Sequence, residues 1–370
     1  MLARKIGVIS VIVGLTVINT FAADKPLKVY IMSGQSNMQG MADVTTLPAM
    51  ADDPLSKELY NTLVNADGKP KVFEDVRVAA LTGGRRDPVI TKTGPLSIGF
   101  GGGLGEDGTK IGTEFAFGAI MYENLKEPIL IIKASWGGKS LNTDFRSPSA
   151  GPYFPFPETV QDRKGNSGNL ITAKAQIDAK LEKTGVYYRR LIEHVKTVLA
   201  DPKKFHPAYD PKNGYEIAGF IWLQGFNDLI DKGLYSGKGD EQYAEYTTLM
   251  AHFIRDVRKD LQAPKMPFVI GVLGIGGATN GPFQKAQAAA ADMPEFMGNV
   301  TAVLMGKYWD SKLSELAERK DRKSLTDEER AYCEAGASNA SFHYLGSAKI
   351  YSRVGEAFAE AIVNMKKNGK

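Results

Sequence analysis

The stretch Val29-Tyr30-Ile31-Met32-Ser33-Gly34-Gln35-Ser36-Asn37-Met38-Gln39-Gly40 decides the reading of this chain. Four apolar residues in a row read as a buried strand. The glycine-bearing segment after them reads as a tight turn carrying a hydroxyl. A serine where a strand hands over to a helix is held exposed beside backbone N–H groups. Ser36 therefore stands where a nucleophilic enzyme would place its nucleophile.

Working outward, apolar runs recur at Lys28–Met32, Pro128–Ala134, Ile217–Leu223, Pro267–Leu273 and Val300–Met305. Helical patterns lie between and after them. Gly185–Ala200 repeats apolar residues at Tyr188, Leu191, Ile192, Val195 and Leu199. Glu241–Leu261 reads the same way, and Gly346–Met365 carries Ile350, Val354, Phe358 and Ile362 at four-residue intervals. Strands alternating with helices predict an α/β protein: a three-layer sandwich with a central five-stranded, mainly parallel sheet. Two segments break the alternation. Leu47–Asp107 and Thr143–Ser167 read as loop insertions after strand ends, where loops of an open α/β sheet border the site. The glycine run Gly99–Gly105 lacks the lysine and Ser/Thr ending of a phosphate loop, which argues against nucleotide binding. Lys307–Arg330 is densely charged and reads as a solvated helical insertion.

The chain has 370 residues, 43% hydrophobic and 24% charged, enough for a full core. Formal charge is +4, and two of these charges are Arg4 and Lys5 near the N-terminus. Such a balance gives no argument for nucleic acid or an anionic membrane as partner. Met1–Lys5 is a basic start, Ile6–Val17 is almost wholly apolar, and Thr20-Phe21-Ala22-Ala23 supplies small residues for cleavage, best after Ala22. Residues 1–23 thus read as a secretory signal, too short for a comfortable membrane span. Residues 24–370 read as one domain, exported to the periplasm or beyond, with no stable membrane insertion. Cys333 is the single cysteine, so neither an intramolecular disulfide nor a cysteine-based zinc site can form.

Four segments stand at predicted element ends: Gly34-Gln35-Ser36-Asn37, Ser135-Trp136-Gly137-Gly138-Lys139-Ser140, Trp222-Leu223-Gln224-Gly225-Phe226-Asn227-Asp228, and Ser341-Phe342-His343-Tyr344. A serine hydroxyl needs a base to take its proton as it attacks. Of the four histidines, His194 and His252 lie in amphipathic helices and His206 in a Lys/Pro-rich loop. His343 alone sits in a loop before a helix, from which it could reach back over the sheet edge. Acyl transfer also builds charge on a carbonyl oxygen, and losing one donor to that oxygen costs about 3–4 kcal/mol. Gly137 and Gly138 can present N–H groups without side-chain obstruction, and Asn227 can offer an amide. Each segment alone is a common turn; the four in order at element ends are not a common combination.

Together these blocks resemble those of the SGNH hydrolases. Gly-Gln-Ser-Asn with Trp-Leu-Gln-Gly is closest to the sialate O-acetylesterase and acetylxylan-esterase branch of carbohydrate esterases. The resemblance spans about residues 27–365, with insertions. It implies ester hydrolysis on an acetylated carbohydrate, with Ser36 as nucleophile and His343 as general base, and with no metal or organic cofactor. It implies an oxyanion hole from Ser36 N–H, Gly137 or Gly138 N–H, and the Asn227 side chain. Gln35 and Gln224 would line the site and bond the ester or the third block. Trp136 and the nearby Tyr153, Phe154 and Phe156 would suit a sugar face, and Arg85 and Arg86 an acidic sugar substituent.

Two positions depart from the pattern. Many relatives carry Asp three residues before the histidine, where this chain has Ala340. Some carry Glu after Gln-Gly, where it has Phe226. The group that orients His343 is therefore open: Asp228 leaning towards the ring, or a backbone carbonyl near Asn339–Ser341. A weakly active or non-catalytic glycan-binding relative, and a lipase- or thioesterase-like enzyme with an apolar channel, are the competing readings.

Overall fold

The computed structural model describes residues 25–83, 89–102, 108–153, 160–165, 167–231, 235 and 238–368. The signal-like residues 1–23, Arg85, Arg86, Phe154 and Phe156 lie outside them.

The chain folds around one seven-stranded sheet. Its strands are β1 (Leu27–Gly34), β2 (Phe73–Gly83), β3 (Val89–Leu96), β4 (Ile129–Trp136), β5 (Tyr215–Leu223), β6 (Phe268–Val272) and β7 (Val300–Leu304), in the order β7-β6-β5-β1-β4-β2-β3. All neighbours pair in parallel except β2 with β3. The α/β class expected from the sequence holds, and all five expected strands are present. The sheet has two more strands, both inside the segment read as a loop insertion. That misreading has a physical cause. β2 carries Glu74, Asp75 and Arg77 in its first half, and β3 carries Gly94 and Pro95 at a sheet edge, where missing donors and polar residues are tolerated.

Helices cover both faces, and the strand period of two assigns the faces. In β5, Gly219 faces Ile362 of the terminal helix, and the next residue, Phe220, meets Phe253 on the other side. The relevant helices are α1 (Ser36–Gln39), α2 (Thr113–Leu125), α3 (Val186–Ala200), α4 (Phe226–Ile230), α5 (Ala244–Asp260), α6 (Pro282–Ala289) and α7 (Ala348–Asn368). Helices α2 and α7 pack together, with Gly355 of α7 letting that backbone approach Thr113 and Phe117. On the opposite face Trp222, Phe145 and Phe253 form one aromatic cluster, and Trp136 joins it through Phe145 and Tyr187.

The charged insertion is helical, at Ser311–Glu318 and Asp327–Gly336, and it buries a small apolar cluster of Leu316, Leu325 and Cys333. Among the described residues no helix is long and apolar enough to cross a membrane.

Candidate active site

Strand register builds the site. Gly34 at the end of β1 pairs with Ser135 of β4 on one side and with Leu223 of β5 on the other. The turns that follow all three strands therefore emerge at one edge of the sheet, and these are the first three sequence blocks. Gly34 adopts φ +155°, and a Cβ there would sit 2.0 Å from the Leu223 carbonyl oxygen. Only glycine permits that approach, which brings the Ser36 turn against the third block.

Ser36 opens α1, with its residue only 7% exposed. Its hydroxyl makes no hydrogen bond to any described residue. Gly137 stands beside it: a Cβ on Gly137 would lie 3.7 Å from the Ser36 Cβ and 3.0 Å from Gln39 Oε1. Gly138, at φ +74°, faces open space. Of the two glycines, Gly137 is the one against the serine.

The Gln35 amide fixes its neighbour's orientation by donor counting. Its Oε1 accepts from the backbone N–H of Gly225 at 2.9 Å, so its Nε2 is the donor, and Nε2 donates to Asn227 Oδ1 at 2.9 Å. Asn227 thereby has its oxygen tied up and its Nδ2 donor left for another acceptor. Both Gln35 and Gln224 are buried. Gln224 donates to Asp228 Oδ2 at 2.6 Å and to the Lys139 carbonyl at 3.0 Å. Of the two roles expected for these glutamines, the structure has the bond to the third block; neither side chain lies open to a substrate.

Asp228 does not lean towards His343. It is completely buried, and its two carboxylate oxygens accept from Leu141 N at 2.9 Å, Asn142 N at 3.0 Å, Gln224 Nε2 at 2.6 Å and Tyr235 Oη at 2.6 Å. Burial pushes its carboxyl up from the ordinary value, against these four donors, which favour the anion. Asp228 thus anchors the loop just beyond Gly137 and Gly138. The expectation for Trp136 is also corrected. It is 1% exposed and packs edge-on against Tyr187, because it ends β4 pointing into the aromatic cluster rather than outwards. Tyr153 is buried as well.

His343 reaches the same edge from the other end of the chain. Asn37 Nδ2 donates to the Phe342 carbonyl at 3.1 Å, which ties the residue after Ser36 to the residue before His343. Asn37 is buried, and its oxygen accepts from Tyr351 Oη at 3.0 Å. Beyond His343 the chain turns sharply through Tyr344 at φ 50° and Leu345 at φ 60°. Left-handed non-glycine residues cost about 1–2 kcal/mol each and persist where the surroundings over-determine them. Here Tyr344 Oη accepts from Gly274 N at 3.0 Å, and the Leu345 carbonyl accepts from Ser338 N at 2.8 Å and Asn339 N at 3.0 Å.

That reversal brings Asn339 to the ring. Its side-chain oxygen lies 2.9 Å from His343 Nδ1 and also accepts from the Ala340 backbone N–H at 2.8 Å. A backbone N–H can only donate, so the Asn339 atom is the oxygen and His343 Nδ1 must carry the proton. The lone pair is then on Nε2. Burial moves the imidazole down to about 4. The ring is therefore neutral at pH 7. The two sources expected for the orienting group, Asp228 or a backbone carbonyl, are both replaced by a side-chain amide. The sequence signal was weak: Asn339 lies four residues before His343 in a segment without periodicity.

Lys133 is the second residue that sequence reading missed. It sits in the middle of apolar β4 and is 2% exposed. Its ammonium reaches Glu114 Oε2 at 2.7 Å, the Gln39 carbonyl at 2.9 Å and the Phe100 carbonyl at 2.8 Å. It fastens the end of the Ser36 turn to the glycine-rich segment, whose Gly102 N also donates to the Gly40 carbonyl. A lysine within the run Ile129–Ala134 was the available signal. Among the described residues no group of three or more His, Cys, Asp or Glu could hold a metal ion.

Residues 26–308 match the carbohydrate esterase family described as sialic acid-specific acetylesterase. The chain belongs to that family of carbohydrate esterases. No curated protein matches it. Among solved structures, a protein from Arabidopsis thaliana aligns at 16% identity over 92% of this chain and 98% of its own, with a TM-score of 0.44. A novel carbohydrate acetylesterase from Xanthomonas citri aligns at 14% identity over 74% of this chain and 49% of its own, with a TM-score of 0.39.

Proposed function

We propose that this protein is an exported serine O-acetylesterase that removes acetyl groups from a carbohydrate through an acetyl-enzyme. Membership of the family makes an ester of a sugar the natural substrate class. One observation carries the catalytic reading. The base is already in the tautomer that acyl transfer needs, with Nδ1–H held by Asn339 and Nε2 free, in a loop bonded to the Ser36 turn.

Ser36 Oγ attacks the acetyl carbonyl while His343 Nε2 takes its proton. The developing oxyanion accepts from Asn227 Nδ2, from Gly137 N–H and from Ser36 N–H. The imidazolium then gives its proton to the departing sugar oxygen, and the ester C–O bond breaks. Water, deprotonated by the same nitrogen, attacks the acetyl-serine and releases acetate. Asn339 keeps the ring in place throughout as a neutral acceptor, so that a Ser–His–Asn set does the work of a triad with no carboxylate. Export rests on the basic start, apolar run and small-residue cleavage site of residues 1–23.

The test is acetate release from an acetylated glycan by the purified protein, against its Ser36→Ala and His343→Ala variants. Loss of turnover in both is expected. Full activity in Ser36→Ala refutes the mechanism.

A further inference from the structure

We propose that Phe342 and Phe226 form a platform that binds the C–H face of the sugar ring bearing the ester. This rests on the catalytic reading above and adds to it where the alcohol half of the substrate lies.

Phe342 is 41% exposed, whereas most large aromatic side chains of the described residues are buried. Its ring stacks nearly parallel on Phe226, with centroids 5.5 Å apart and planes at 17°. It also lies steeply inclined to the His343 ring, with centroids 4.4 Å apart and planes at 62°. Its carbonyl is the one held by Asn37, so the platform is fixed relative to the Ser36 turn. Phe226 in turn precedes Asn227 on α4, and Ile230, one turn further along the same face of that helix, is 54% exposed.

The order of proton transfers says which half of the substrate meets this surface. His343 must hand its proton to the departing alcohol oxygen, so that oxygen comes to the ring and the acetyl oxygen goes to the donors beside Ser36. A surface in contact with His343 therefore faces the alcohol. In a carbohydrate esterase that alcohol is a sugar, whose axial C–H face is apolar and packs on aromatic faces. Trp136 and Tyr153 are buried and cannot serve, whereas Phe342 is exposed and in ring contact with His343.

The test compares Phe342→Ala and Phe342→Trp with the parent protein on a fully acetylated methyl pyranoside and on ethyl acetate, which has no ring. For Phe342→Ala, the ratio of kcat/KM between the pyranoside and ethyl acetate should fall about tenfold. Most of the fall should appear in KM, and Phe342→Trp should restore the ratio. A second arm needs no turnover. On a Ser36→Ala background, calorimetric affinity for the same pyranoside should weaken about tenfold on adding Phe342→Ala. An unchanged ratio, or unchanged affinity in the second arm, overturns the platform. If the parent hydrolyses neither ester but the second arm shows the loss, the platform stands and the catalytic reading falls.

Discussion

Replacing Asn339 by Asp puts a carboxylate behind His343, the proposed base. Burial disfavours the charged form of the ring and holds it down at about 4. A carboxylate in place of the Asn339 oxygen would stand 2.9 Å from Nδ1, with its charge roughly 4 Å from that of the imidazolium. At that separation the attraction is about 1 kcal/mol in water and about 4 kcal/mol at the effective dielectric of a protein surface. Asn339 is exposed while the ring beside it is half-buried, so a value between these limits applies. At about 1.4 kcal/mol per unit, His343 should rise by roughly one to three units. The sign follows from the role proposed for the ring. A base must be neutral, so the acid limb of kcat/KM lies near pH 4 in the parent and moves up, to about pH 5–7, in Asn339→Asp. Above that limb the variant should be faster, by about tenfold or more, because the carboxylate stabilises the imidazolium formed in the transition state. The assay is acetate release from pH 3 to pH 9, with the His343 ring followed by NMR. An acid limb that stays put, with unchanged kcat, would show that Asn339 does not contact the working base.

Other expectations follow from the same geometry. Asp228→Asn should cost about 2–4 kcal/mol in denaturant unfolding and lower kcat, since an amide nitrogen would face the donors of the Gly137 loop. Lys133→Met should cost about 3–5 kcal/mol by stranding the buried Glu114 carboxylate, and adding Glu114→Gln should recover part of the loss in the same measurement. Gly137→Ala should fold, because its Cβ meets only the Gln39 amide oxygen, 3.0 Å away, and the serine; its kcat should drop by at least about tenfold as the methyl crowds Ser36.

The centre of the fold was legible because β1, β4 and β5 are buried on both faces and so read as apolar runs. The strand pair β2 and β3 was not, because Glu74, Asp75 and Arg77 break up the start of β2 and Gly94 and Pro95 interrupt the edge strand β3, so neither shows an unbroken apolar run. Motif spacing pointed to Ser36, Gly137, Asn227 and His343 as candidates, and the parallel sheet brings the turns of the first three to one edge. It misassigned the supporting residues. Asp228 is sequence-adjacent to Asn227, but its carboxylate turns inwards to two backbone N–H groups. Trp136 follows the strand's alternation into the core. Asn339 reaches His343 only because Tyr344 and Leu345 take left-handed conformations, which neither residue type announces.

The most direct test is to label the protein with a fluorophosphonate and map the adduct by mass spectrometry of its peptides. One adduct per chain is expected, on Ser36, absent from Ser36→Ala and slowed in His343→Ala. An adduct on another serine, or acetate release that persists once Ser36 is fully labelled, would contradict the mechanism.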